Sequence, residues 1–196
     1  MVAMTVMPGA GDWRVEDLDA VPEDGLRYEL VDGVLLVSPA PTPRHQRVVV
    51  SLVVLLHPAV TADAEVLVAP VDFRPDPKRS LQPDVLVVRR EDAGAGRLTL
   101  PPLLVIEVLS PGSRSVDLLL KRGIYQDSGV PSYWIVDPDE PSVTVLELDA
   151  AGGYRQVAHA VGDQPLTVSA PFPVTVVPAA LTQSGPAGLP RPDPLS

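Results

Sequence analysis

The chain has 196 residues, 45% of them hydrophobic and 20% charged, which is the composition of one globular domain and not of a disordered or fibrous chain. It contains no cysteine, which excludes disulfides and thiolate metal sites, and its formal net charge of -10 argues against a general basic coat for nucleic acid. No apolar run approaches the length of a membrane span and the first residues lack the pattern of a signal peptide, so a cytoplasmic protein with no membrane partner is expected.

Residues 1–12 read as a flexible leader and 13–20 as a short helix with Val15 and Leu18 inward. The runs 27–31 and 34–37 flank Asp32-Gly33, the pair that a two-residue hairpin turn prefers. Thr42 is a helix N-cap with Pro43 at the first helical position. Apolar pairs at Val48/Val49, Leu52/Val53 and Leu55/Leu56 recur at helical spacing, predicting an amphipathic helix over 43–57 that Pro58 ends.

Residues 65–73 read as a strand and 75–78 as a loop. Two strongly apolar runs follow, near 83–89 and 102–109, each bounded by proline as a short buried strand is. A helix capped by Ser113 or Ser115 runs to about Ser128, where Gly129 stops it. Strands are expected at 133–136, 143–148 and 154–158, with short edge strands at 166–168 and 174–177. From 183 to 196 proline, glycine and serine dominate, the composition of a disordered tail. The domain proper is thus 13–182, a mixed α+β fold within the broad α/β class: a central sheet flanked by helices, with added β-hairpins.

The chemistry centres on the two apolar runs, because each carries one carboxylate. Asp84 opens the first and Glu107 sits near the end of the second. A carboxylate inside a buried strand is costly unless something pairs with it. Alternation puts Asp84 on the face of Leu86 and Val88, and Glu107 on the face of Val105 and Leu109. Were the two strands neighbours, both acids would converge on one point and suit an oxygen-loving ion such as Mg²⁺. Only His45, His57 and His159 are available as nitrogen ligands, which disfavours zinc.

Lys121, on the helix after Glu107 and among Leu118, Leu119, Leu120 and Ile124, is placed to point an ammonium at nearby acids from the edge of a packed face. Glu29, just before the Asp-Gly turn, is a third acidic candidate. Each has a plain alternative when taken alone. Pro-Asp is common turn chemistry, Glu107 could be a structural ion pair, and Lys121 could be a solvated partner of Asp117. Glu29 could be an exposed hairpin residue, His45 a surface residue of a first helical turn, and Tyr125, Tyr133 and Trp134 core aromatics.

The ordered set of motifs resembles the Uma-two family of restriction-type endonucleases, in the PD-(D/E)XK nuclease superfamily. The matching pieces are Tyr28-Glu29-Leu30-Val31-Asp32-Gly33, then Ser38-Pro39 through His45, then Pro83-Asp84-Val85. They continue with Val105-Ile106-Glu107-Val108-Leu109-Ser110-Pro111, Asp117 to Lys121, Gly129-Val130-Pro131 and Tyr133-Trp134-Ile135-Val136-Asp137-Pro138. The resemblance spans about 14–180 and implies a restriction-endonuclease-like sheet, with Asp84 and Glu107 as the motif acids. The superfamily pattern has lysine two residues after the second acid, where this chain has Leu109; the family resemblance implies that Lys121 supplies that ammonium from the next helix.

The expected activity is therefore Mg²⁺-dependent hydrolysis of DNA phosphodiesters, with Mn²⁺ as an alternative ion. Asp84 and Glu107 would be the ligands, helped by the carbonyl of Val108; Lys121 would be catalytic and Glu29 would extend the metal shell. Arg44, Arg114 and Arg122 would face the DNA backbone, and a homodimer is an admissible assembly. The rival expectations are an inactive domain that keeps the fold, and a metal-dependent hydrolase of another substrate.

Overall fold

The computed structural model of the protein describes residues 5–6, 12–21, 24–38, 40–94, 96–110 and 116–183. In chain order, β1 (Thr5–Val6), β2 (Arg27–Val31) and β3 (Val34–Ser38) precede helix α1 (Pro43–Leu56). Then come β4 (Ala64–Val68), β5 (Phe73–Asp76), β6 (Arg79–Leu81), β7 (Val85–Arg89) and β8 (Leu104–Val108). A π-helical turn over Val116–Lys121 leads into α2 (Arg122–Asp127), followed by β9 (Ser132–Asp137), β10 (Ser142–Leu148) and β11 (Tyr154–Val161). The described chain closes with β12 (Leu166–Val168), β13 (Val174–Val176) and α3 (Pro178–Thr182).

The large sheet has six strands in the order β11-β10-β9-β8-β7-β4, and a second sheet has five in the order β1-β3-β2-β6-β5. The β8–β9 pair is parallel and the other pairings of the large sheet are antiparallel, so the sheet is mixed. A parallel pair needs a long crossover, which the π turn and α2 supply. One face of the large sheet packs Val85, Val87, Ile106 and Val108 against Val48, Leu52 and Leu56 of α1. The other face packs Leu86, Val88 and Val105 against Phe73 and Leu81 of the small sheet and Ile124 and Tyr125 of α2.

Local signals explain the elements that set the site. Asp32 and Gly33 both have positive φ, 49° and 81°, as a tight hairpin turn matched to strand twist requires. A side chain at Gly33 would also meet Asp12 at 2.6 Å. Thr42 accepts a hydrogen bond from the His45 amide at 3.2 Å, which caps α1 and holds the first turn in place. Asp137 Oδ1 accepts from the amides of Asp139 and Glu140, closing β9 in a turn.

Several expectations need correction. The strand read over 65–73 is two strands, β4 and β5, because Pro70 has no N–H for a ladder. The predicted loop at 75–78 is mostly hairpin, with β5 reaching Asp76 and only Pro77 and Lys78 between it and β6. The short helix near 13–20 is a single 3₁₀ turn at Asp17–Ala20. Within residues 1–12, Thr5 and Val6 pair with Val37 and Leu36 at the edge of β3. Helix α3 is not among the expected elements; Leu181 on it belongs to the core. Ser113 and Ser115 as caps, Arg114, and the tail from 184 onward lie outside the described residues.

The largest difference concerns the helix after Glu107. Its described part opens with a π turn, and among its apolar residues Ile124 is buried while Leu119 and Leu120 are not. Leu119 and Leu120 are exposed, 73% and 49%, whereas Lys121 is fully buried. A π turn admits an extra residue and so changes which side chains face inward; here the inward position goes to the ammonium, because acids wait beneath it.

Candidate active site

Four separate elements deliver charged side chains to the seam between the two sheets. Glu29 comes from the middle of β2 on the small sheet. Asp84 precedes β7, on the segment that crosses from β6 into the large sheet. Glu107 lies in β8, and the β7–β8 register, with Val85 opposite Ile106, sets Asp84 opposite Glu107 when carried back one residue. Lys121 ends the π turn. All four are buried, which for ionised groups demands close partners.

The partners are present. Lys121 Nζ lies 2.9 Å from Glu29 Oε1 and donates to Glu107 Oε1 at 3.1 Å. The Tyr125 hydroxyl donates to the same Glu107 oxygen at 2.6 Å. The amide of Gln82 donates to Glu29 Oε1 at 2.8 Å. Asp84 Oδ2 accepts from the Val108 amide at 2.8 Å and lies 3.1 Å from His45 Nε2, while Asp84 Oδ1 accepts from Arg27 Nη1 at 2.9 Å.

Arg27 touches all three acids. Its Nε is 3.3 Å from Glu29 Oε2 and its Nη2 is 3.8 Å from Glu107 Oε2, in addition to the Asp84 bond. Among the described residues no three acidic or histidine side chains form a ready-made metal cage, and the Arg27 guanidinium lies among the acids that would.

The electrostatics follow this geometry. Burial raises the Asp84 carboxyl, but the His45 hydrogen bond and the Arg27 charge outweigh it and hold Asp84 well below the usual carboxylate range. Glu29 is also lowered, with burial opposed by Arg27, Lys121 and the Gln82 amide. Burial first, then the Glu107 and Glu29 charges, push the Tyr125 phenol well up, so it stays a donor. Burial opposes the charge of Arg27, yet the three carboxylates raise it well above its ordinary value.

Asp84, Glu107, Lys121 and Glu29 thus meet at one place, and Val108 enters through its amide. His45 is not a surface residue: it is 9% exposed and faces Asp84, because the Thr42 cap fixes the first turn of α1 over that strand. Arg27 escapes the sequence reading and Tyr125 is read there only as a core aromatic, which it is, although weak signals for their place at the acids existed. Arg27 is two residues from Glu29 on a strand and so shares its face, and Tyr125 is four residues from Lys121 and so shares its helix face. Arg44 and Arg122 are already engaged, Arg44 by Asp139 at 3.0 Å and by the Pro138 carbonyl, Arg122 by the Tyr154 carbonyl at 3.3 Å.

A mixed sheet flanked by helices, with two acids on neighbouring strands and a lysine above them, has the architecture of a restriction-endonuclease-like protein. The family described as "Uma2: Putative restriction endonuclease" matches residues 15–182, and the chain belongs to it. Among solved structures the chain is similar to a putative nuclease belonging to DUF820 from Anabaena variabilis. That likeness has 21% identity and a TM-score of 0.63, covering 81% of this chain and 89% of the other. No curated protein matches. Among the described residues no helix is long and apolar enough to cross a membrane.

Proposed function

We propose that this nuclease-family protein is a metal-dependent DNA endonuclease that hydrolyses phosphodiester bonds. One observation carries the reading: Glu29, Asp84 and Glu107, all buried, come from separate segments and crowd around one point with a fully buried lysine beside them. Holding three carboxylates out of water costs stability that an apolar core would not incur, and a shared function is the reason to keep them.

The donor set fits a hard divalent ion, since it consists of carboxylate oxygens. Asp84, Glu107 and Glu29, with the Val108 carbonyl, would hold Mg²⁺ or Mn²⁺. When bound, such an ion lowers the pKa of water and offsets charge on the phosphate. The chain supplies the rest. Lys121 orients the attacking water and stabilises developing negative charge. Tyr125 fixes the Glu107 carboxylate, and His45 with the Val108 amide fixes that of Asp84, so neither acid must reorganise during reaction. Contacts to the DNA backbone are screened by salt, so cleavage weakens as salt rises, with a shallow slope for a chain whose formal net charge is -10 and whose phosphate contacts are few.

A second reading, an inactive domain that retains the fold, draws on the cationic partner that each acid already has. Cleavage of a supercoiled plasmid and a short duplex across Mg²⁺, Mn²⁺ and Ca²⁺, beside calorimetric metal titration, separates the two. Metal binding with cleavage that Asp84→Asn and Glu107→Gln remove is the expected result. Metal binding without cleavage of any nucleic acid points to another hydrolytic substrate. No metal binding by the folded protein leaves the structural reading.

A further inference from the structure

The guanidinium of Arg27 fits its surroundings poorly as a permanent ion pair. An arginine fork is best met by parallel hydrogen bonds to one carboxylate. Here three carboxylates each approach it with one oxygen, and only the Asp84 contact is a hydrogen bond. Among the described residues, the buried Arg27 Nε and Glu29 Oε2 make no hydrogen bond, although they lie 3.3 Å apart. A spherical ion has no such directional demand and can take one oxygen from each acid.

Arg27 is also the member of the cluster nearest solvent. Its side chain is 24% exposed, against 0–4% for Lys121, Glu29, Glu107 and Asp84. It sits at the start of a hairpin strand, where Arg27 pairs with Ser38, on a long flexible stem. The chain can therefore release the guanidinium outward without disturbing the ladder, whereas Lys121 has nowhere to go.

We propose that Arg27 is an exchangeable plug: its guanidinium occupies the place of the divalent ion in the metal-free protein, and metal enters only by displacing it to the surface. This rests on the metal-dependent reading above. The consequence is a built-in competition that offsets part of the charge of three acids while no metal is bound and weakens the apparent metal affinity by the free energy of releasing the arginine. Arg27 is then a gating residue, acting through the acids.

The test compares the wild type with Arg27→Gln and Arg27→Lys by Mn²⁺ and Mg²⁺ calorimetry and by melting with and without metal. In Arg27→Gln the competitor is gone and the acids are under-neutralised. It should melt lower than wild type without metal, gain more from Mn²⁺, and bind Mn²⁺ at least about tenfold more tightly, since one unit charge a few ångströms away is worth more than the 1.4 kcal/mol of a tenfold change. Arg27→Lys keeps the charge and thus the fold, loses the fork and part of the reach, and should fall between the two. If either variant, folded, binds Mn²⁺ no more tightly than a wild type that does bind it, the plug is refuted while the metal reading stands. If no form binds Mn²⁺ or Mg²⁺, the metal reading fails and the plug fails with it.

Discussion

Lys121 Nζ lies 2.9 Å from Glu29 Oε1, so one ammonium from the large sheet's crossover connection is tied to the middle of the small sheet. The same ammonium holds Glu107 at 3.1 Å, and its side chain is fully buried. Breaking a buried pair leaves an uncompensated charge, which is far more costly than never having made the pair. Lys121→Met should therefore lower stability by about 3–5 kcal/mol, measured by urea unfolding. Adding Glu29→Gln should recover part of it, since that removes one of the stranded charges. A loss below about 1 kcal/mol, the scale of an exposed pair, would show that Lys121 is not fixed in this place. Any assay of Lys121 variants must accordingly be run well below their melting temperature.

Asp84 has three partners, and they separate two kinds of substitution. Asp84→Asn retains an acceptor but loses the charge. It should stay folded while losing the metal-induced rise in melting temperature and all metal-dependent cleavage. Asp84→Ala also leaves the buried Val108 amide without its acceptor, which costs about 1–3 kcal/mol more. Thermal melts with and without Mn²⁺ read both effects; a metal response that persists in Asp84→Asn would remove Asp84 from the ligand set.

Tyr125→Phe tests how far Glu107 depends on its hydroxyl donor. The bond is 2.6 Å long, buried, and made to a charged acceptor, a class worth about 1.5–3 kcal/mol. The ring contacts with Tyr133 at 5.1 Å and Phe73 at 6.5 Å are kept by phenylalanine, so the loss should be that of the hydrogen bond and not of packing. Urea unfolding should show this decrease with an unchanged denaturant slope. If the stability is unaltered, the hydroxyl does not anchor Glu107.

Tyr154 predicts the alkaline limit. Its hydroxyl donates to the Val130 carbonyl at 2.7 Å. Burial pushes its phenol upward, with Arg122 opposing only in part. A folded-state value above the unfolded one, about 10 for tyrosine, means that the contribution is complete below about pH 10 and lost as pH rises through the folded value. Wild type should then be more stable than Tyr154→Phe from neutral pH to about 10, and the gap should close above that. Unfolding free energies across alkaline pH, beside tyrosinate absorbance, provide the check; a gap that stays constant at high pH would contradict it.

Much of this architecture was legible in local chemistry. The Asp32-Gly33 turn, the Thr42 cap with Pro43, and the apolar runs around Asp84 and Glu107 all appear close to where the sequence puts them. Each depends on residues within a turn or a strand of one another. The acids themselves were legible for the same reason, since a carboxylate in a run of Val, Ile and Leu stands out against its own neighbours. Where the reading went astray, at the split of β4 from β5 and at α3, the segments are short and take their conformation from the sheet and core they join.

The sequence by itself determined the Asp32-Gly33 hairpin, the capped helix and the two apolar strands beside Asp84 and Glu107. Only the tertiary structure decided what those acids meet. Arg27 reaches Asp84 across 57 residues and His45 reaches it across 39. Lys121 turns inward while Leu119 and Leu120 turn out, against their polarity. The physical reason is that secondary structure is set by torsions and hydrogen bonds within a few residues, whereas the partner of a buried charge is set by which surfaces the two sheets bring together, and no local pattern encodes that seam.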